Sequence, residues 1–174
     1  LARTLAPAAA HDEFAHRLLR LHEEVRQRRG DAWLGARALG IHRSDYLLDE
    51  PSGRLLQVEL NTIASSFGAL ASRAAGLHRA LAGRFPELGV SDPDTVPENP
   101  ALEAIARALA VAQEAHPATN GLVLFVVQPG EGNVFDQELL REQLWVQHGV
   151  RSERRTLAEV ADEAELDAEG RVSL

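Results

Sequence analysis

Apolar residues along this chain follow changing periods, and the changes outline its elements. Over residues 12–28, Phe14, Leu18, Leu21 and Val25 recur at helical spacing among Glu, Arg and Gln, and Gly30 ends the pattern. This predicts a surface helix packing one face. Residues 44–61 read as a hairpin whose two apolar-rich runs flank Asp49-Glu50-Pro51-Ser52-Gly53, a turn-forming segment. A helix opens near Ser65 or Ser66, either of which can cap it, and runs to about residue 85. A linker over 86–99 carries Pro86, Pro93 and Pro97. Asn99-Pro100 then starts a helix whose buried stripe is Leu102, Ile105, Ala106 and Leu109, ending before Pro117.

From residue 120 the pattern changes. Leu122-Val123-Leu124-Phe125-Val126-Val127 is apolar on both faces, the mark of a central strand in a parallel sheet. A loop, Gln128-Pro129-Gly130-Glu131-Gly132-Asn133, leads to a helix over about 135–148 that stops at Gly149. A second strand follows over 150–155. Thr156 and Glu159 have capping-box spacing for a short helix. Residues 171–174 suggest a last strand, with no partner evident, after the turn at Ala168-Glu169-Gly170. The order strand, loop, helix, strand predicts a parallel β-α-β unit. Ligands of such units sit beyond the carboxyl ends of the strands, where Glu131, Gly132 and Asn133 lie. The Gly130-Glu131-Gly132 pair of glycines is not a dinucleotide fingerprint and reads first as a tight turn.

One strand breaks its own rules. In Gln57-Val58-Glu59-Leu60-Asn61, side chains alternate faces, so Gln57, Glu59 and Asn61 share one. Glu and Asn are poor strand formers, and such local violations are expected at functional sites. Oxygen groups about 7 Å apart along a strand suit a hard cation such as Mg2+. In a hairpin the ends away from the turn meet, which places Arg43 beside Glu59 and Asn61. Small and hydroxyl-bearing residues follow in Ile63-Ala64-Ser65-Ser66, at a helix start whose amides favour an anionic group.

Composition narrows the classes. With 174 residues, 45% hydrophobic and 25% charged, the chain fits a globular α/β protein. Its net charge of −8 argues against a nonspecific grip on nucleic acid. No apolar run approaches bilayer length, so no membrane role is expected. The absence of cysteine excludes disulfides, zinc thiolates and a cysteine nucleophile, and a reducing, cytoplasmic setting is the plain expectation. Methionine is absent even at position 1, which predicts an internal segment of a longer protein.

Three segments together carry a resemblance. Gly40-Ile41-His42-Arg43-Ser44-Asp45-Tyr46, then Gln57-Val58-Glu59-Leu60-Asn61-Thr62-Ile63-Ala64-Ser65-Ser66-Phe67-Gly68, then Asn133-Val134-Phe135-Asp136-Gln137, resemble eukaryotic-type glutathione synthetase. The likeness extends over nearly the whole chain, and all three motifs in order are a specific signal.

The resemblance implies an ATP-grasp ligase that joins γ-glutamylcysteine to glycine through an acyl phosphate, with Mg2+ and ATP. It implies an ATP-grasp-type α+β region over 1–119, followed by the start of a parallel β-α-β substrate-binding domain over 120–174. The implied metal ligands are Glu59 and Asn61, with Glu59 also serving the nucleotide. The implied substrate-binding residues are Arg43, which is also the implied catalytic residue, Ile63, Ala64, Ser65 and Ser66, and Glu131, Gly132, Asn133 and Gln137. A homodimer is expected for the full-length protein.

Two positions depart from the family pattern. His42 stands where Asn is expected, and Ala64 where serine is more usual. The glycine-rich lid, the nucleotide-binding lysines and a further metal carboxylate are not in this segment, so the segment alone is expected to be inactive. The alternatives are a noncatalytic peptide-binding relative that lacks the ATP half, and an α/β domain whose Glu59 and Asn61 are merely a solvated strand face.

Overall fold

In a computed structural model, the structure describes residues 2–30, 38–85, 87, 89, 92–116, 120–168 and 171–174. Pro86, Pro117, Glu169 and Gly170, all used above to mark breaks, lie outside these residues. The chain divides into two compact units, Leu1–Ala38 and Leu39–Leu174.

The first unit pairs α1 (Ala2–Ala9) with α2 (Glu13–Arg29). The Asp12 side chain caps α2, accepting a bond from the Ala15 amide at 2.8 Å, and Gly30 ends it at φ 61°. Helix and boundaries follow the sequence pattern, but the burial does not. Phe14, Leu18, Leu21 and Val25 are all exposed within the described residues. Within this unit the eight-residue, alanine-rich α1 offers little apolar surface to that stripe.

The second unit opens with an antiparallel hairpin of β1 (Arg43–Asp49) and β2 (Arg54–Asn61). Arg43 pairs with Asn61, and Asp45 with Glu59. The register shifts between Asp45 and Tyr46, so that Tyr46 faces Gln57 and Val58 is the extra residue of a bulge in β2. Gln57 Nε2 donates to Ser44 Oγ across the pair at 2.6 Å.

Helix α3 (Gly68–Arg84) follows, then a short 3-10 turn at Pro93–Thr95 inside the proline-rich linker. The linker does not hang free, since Arg79 of α3 donates to the Val96 carbonyl through Nε at 3.3 Å and Nη2 at 3.2 Å. Helix α4 (Ala101–Glu114) starts where Asn99 and Pro100 indicate, with Asn99 Oδ1 accepting from the Ala101 amide at 3.2 Å. Its predicted stripe points inward: Leu102 and Ala106 are buried, and Ile105 and Leu109 are half-buried.

Strand β3 (Val123–Val127), helix α5 (Val134–His148) and strand β4 (Ser152–Thr156) form the expected unit, with β3 and β4 parallel from Val123–Ser152 to Val127–Thr156. Gly149 ends α5 in the left-handed region at φ 65°, a conformation that glycine adopts without steric cost. Helix α5 packs on both α3 and α4, and Leu144 on its inner face has no exposed surface. Arg141 of α5 ties it to β4 by donating to the Ser152 carbonyl at 2.9 Å and Oγ at 3.2 Å. The central-strand expectation for β3 is not met among the described residues. β3 has one partner there, and Val126 is exposed.

Helix α6 (Leu157–Glu163) carries the predicted capping box between Thr156 and Glu159. The final strand is not unpartnered as expected. β6 (Val172–Ser173) pairs with β5 (Glu165–Leu166), a two-residue strand too short to leave a period in the sequence. Asp167 closes the turn between them, accepting from the Arg171 amide at 2.7 Å and from its Nε at 2.6 Å.

Candidate functional site

The open end of the hairpin gathers four polar side chains. Arg43 donates to Asp45 through two bonds, Nε to Oδ1 at 2.8 Å and Nη2 to Oδ2 at 2.9 Å. This is the fork geometry that distinguishes guanidinium from ammonium. Arg43 Nη2 also lies 3.8 Å from Glu59 Oε1. Asn61 Nδ2 donates to Glu59 Oε1 at 3.0 Å and to Asp45 Oδ2 at 3.3 Å. The predicted meeting of Arg43, Glu59 and Asn61 is therefore present, and the cause is the cross-strand register.

Electrostatics follow the geometry. The hydrogen bond from Arg43 holds the Asp45 carboxyl below the usual carboxylate range, against a smaller opposing effect of desolvation. The same bond raises Arg43, which stays a fixed cation. All of these groups remain partly open to solvent, so the pairing orients side chains more than it stabilises the fold.

Beyond Asn61 the chain turns back on itself. Ser65 Oγ donates to the carbonyls of Asn61 at 3.1 Å and Ile41 at 3.2 Å. Neither Ser65 nor Ser66 caps α3. The residue at the cap position is Phe67, in the left-handed region at φ 70°, and Ala64 is also left-handed at φ 52°. Two non-glycine residues in that region within one short loop mark backbone strain held by its surroundings.

The surroundings include Asp136. From the first turn of α5 its carboxylate accepts from the Phe67 amide at 2.8 Å and the Leu70 amide at 2.9 Å. One side chain, 69 and 66 positions away, thus does what a capping box does locally. Asp136 is 7% exposed and is the buried charged residue of the described core. The α3 start expected to await an anionic ligand is already taken by this carboxylate.

Asp136 also joins two of the predicted substrate segments. It links the loop carrying Ile63, Ala64, Ser65 and Ser66 to the one carrying Glu131, Gly132, Asn133 and Gln137. In the second, Glu131 Oε1 accepts from the Asn133 amide at 2.8 Å, and Gly130 turns the chain at φ 68°. Gln137 Oε1 is buried with no hydrogen-bond partner among the described residues. Ile63 is 87% exposed, and neither it nor Ala64 contributes a side-chain polar group.

Sequence reasoning assigned no role to Asp45 or Asp136, although both stand inside the quoted motifs. Asp45 could have been found from its Arg43-x-Asp45 spacing, which puts both on one face of a strand. Asp136 left no local signal, since its partners are distant in sequence.

A metal would find a partial ligand set here. Among the described residues no group of three or more His, Cys, Asp or Glu side chains could hold a metal ion. Glu59, 57% exposed, and the amide oxygen of Asn61 offer two oxygen ligands. Because Asn61 donates through its nitrogen, its oxygen is left for other contacts. Mg2+ takes oxygen ligands of this kind alongside waters and phosphate oxygens, and Glu59 Oε1 is here engaged by the Asn61 amide nitrogen at 3.0 Å.

Comparison with known proteins places most of this chain in one family. The family model described as the ATP-binding domain of eukaryotic glutathione synthase matches residues 1–160. The chloroplastic glutathione synthetase of Solanum lycopersicum is 39% identical over 170 residues, covering 98% of this chain and 31% of that protein. The glutathione synthetase of Homo sapiens is 32% identical over 178 residues, covering 99% and 36%. The chain thus spans about a third of the length of these relatives. A solved structure of a glutathione synthetase-like effector from Globodera pallida, in apo form, superposes with a TM-score of 0.66 at 20% identity, covering 78% of this chain and 33% of that one. It shows a shared fold. By the match to the greater part of its length, this chain belongs to the eukaryotic glutathione synthase family, in the region of the ATP-binding domain.

Proposed function

We propose that the chain is part of an ATP-dependent ligase that joins γ-glutamylcysteine to glycine. The observation that carries this reading is the convergence of Arg43, Glu59 and Asn61 at one end of the hairpin, within a member of this family. In the proposed reaction the γ-phosphoryl group of ATP passes to the dipeptide's terminal carboxylate, and ADP leaves. The glycine amine then attacks the acyl carbon and displaces phosphate. Negative charge gathers on phosphoryl oxygens in both steps, and fixed cationic groups stabilise it.

In this reading Arg43 binds the anionic substrate and faces the growing charge. Glu59 and Asn61 would hold Mg2+, which when bound supplies charge neutralisation at the nucleotide phosphates. The Ile63, Ala64, Ser65 and Ser66 loop would hold the dipeptide backbone. From the facing segment Glu131, Gly132, Asn133 and Gln137 would complete the substrate contacts. The unpaired Gln137 Oε1 supports that assignment, because a buried acceptor gains most from a ligand N–H. The division into 1–119 and 120–174, a homodimer and a cytoplasmic location belong to the same reading. Relatives named chloroplastic show that the family is not tied to one compartment. The noncatalytic alternative is not favoured, because the matching family region is an ATP-binding domain.

Glu59→Gln in the complete protein tests the proposal. It keeps shape and removes charge, so Mg2+-dependent turnover should fall about 100-fold or more, as for loss of a main charge stabiliser. Turnover near that of the unsubstituted protein, with unchanged Mg2+ response, would remove Glu59 from the metal site.

A further inference from the structure

A guanidinium carries five N–H donors in a planar fork. Asp45 occupies one edge of the Arg43 fork, through Nε and Nη2. Arg43 Nη1 makes no hydrogen bond among the described residues. The same Asp45 carboxylate accepts from Asn61 Nδ2 at 3.3 Å, alongside Glu59 Oε1 at 3.0 Å and the Arg43 carbonyl at 3.5 Å, so the amide nitrogen is engaged and the amide oxygen is left for other contacts. One carboxylate thus holds a cation by one edge and an amide by its nitrogen, across two strands.

We infer that Asp45 is a positioning residue, which presents the free edge of Arg43 and the oxygen of Asn61 to ligands before they bind. Arg is a rotamer-rich side chain, and immobilising it in advance removes that cost from binding. A merely structural ion pair on this exposed surface would do little, since such pairs contribute little to stability. The second bond, to Asn61, is what a structural role leaves unexplained. The identity of the ligands rests on the proposed function; the positioning itself does not.

Two measurements on the complete protein test this. In the ligand-free 15N-labelled protein, the Arg43 Nε–H signal, assigned by its loss in Arg43→Lys, should exchange slowly with water and vanish in Asp45→Asn. Calorimetric titration with γ-glutamylcysteine should show affinity falling about 10-fold or more in Asp45→Asn, the scale of one charge-assisted hydrogen bond. In an Arg43→Lys background the same change should add less than about 2-fold, because Asp45 acts through Arg43. Asp45→Glu, which keeps the charge, should restore part of the affinity. A slowly exchanging Arg43 signal that survives Asp45→Asn, or equal losses in both backgrounds, would overturn the inference. Failure of the unsubstituted protein to bind the dipeptide would bring down the proposed substrate instead, and the Arg43 signal alone would then decide the positioning.

Discussion

Asp136→Ala removes the acceptor of two backbone amides at the start of α3 and leaves no local substitute. The amides of Phe67 and Leu70 sit 2.8 and 2.9 Å from the carboxylate, which is itself 7% exposed. Each donor left unsatisfied costs about 1–3 kcal/mol. Water can reach part of the gap, and removing a buried charge returns its desolvation cost, so the two losses do not sum fully. The expected net cost is about 2–4 kcal/mol, which for 174 residues lowers the melting temperature by roughly 4–16 °C. Asp136→Asn is nearly isosteric, but it turns an NH2 toward one N–H donor, and should cost about 1.5–3 kcal/mol. Urea unfolding followed by circular dichroism measures both. Thr156→Ala supplies the comparison, since it removes an exposed local cap on α6 and should cost about 1 kcal/mol. If Asp136→Ala costs no more than Thr156→Ala, the distant carboxylate does not anchor α3 and the reasoning fails.

Further predictions follow from single contacts. A Cβ on Gly68 would come within 2.5 Å of Ile105 Cδ1, so Gly68→Ala should destabilise by about 1–3 kcal/mol, and Ile105→Val should recover part of that in the double variant; additive losses in chemical unfolding would refute the clash. The Asp45 carboxyl is held low chiefly by the Arg43 hydrogen bond. Its pairing therefore stabilises the fold above the unfolded aspartate value of about 3.9 and loses that effect as pH falls through the lower folded value. An NMR titration of the Asp45 carboxyl should have its midpoint below about 3.9, and a midpoint at or above it would contradict the pairing.

Much of the local architecture was legible in the chain. Period 3.6 gave α2 and α4, the Pro-Gly turn gave the hairpin, and the capping box gave α6. Hairpin geometry brought the Arg43 end of β1 to the Asn61 end of β2, but the bulge at Val58, which turn and alternation do not contain, sets Arg43 opposite Asn61 and Asp45 opposite Glu59. The burial of the α2 stripe did not follow, since burial depends on what is available to cover a face.

What the sequence determined by itself is most of the elements, α1 and β5 excepted, and which polar residue types gather toward the hairpin's open end. These depend on neighbours a few positions apart, whose spacing is visible in one dimension. Only the tertiary structure decided that α3 is entered through Phe67 in a left-handed conformation, that Asp136 and not Ser65 or Ser66 satisfies its first amides, and that the two segments proposed to bind substrate are joined through that carboxylate. A hydrogen bond spanning 69 positions has no period or motif of its own. It exists because α5 packs on α3, and packing is the part of the fold that a chain read in order does not contain.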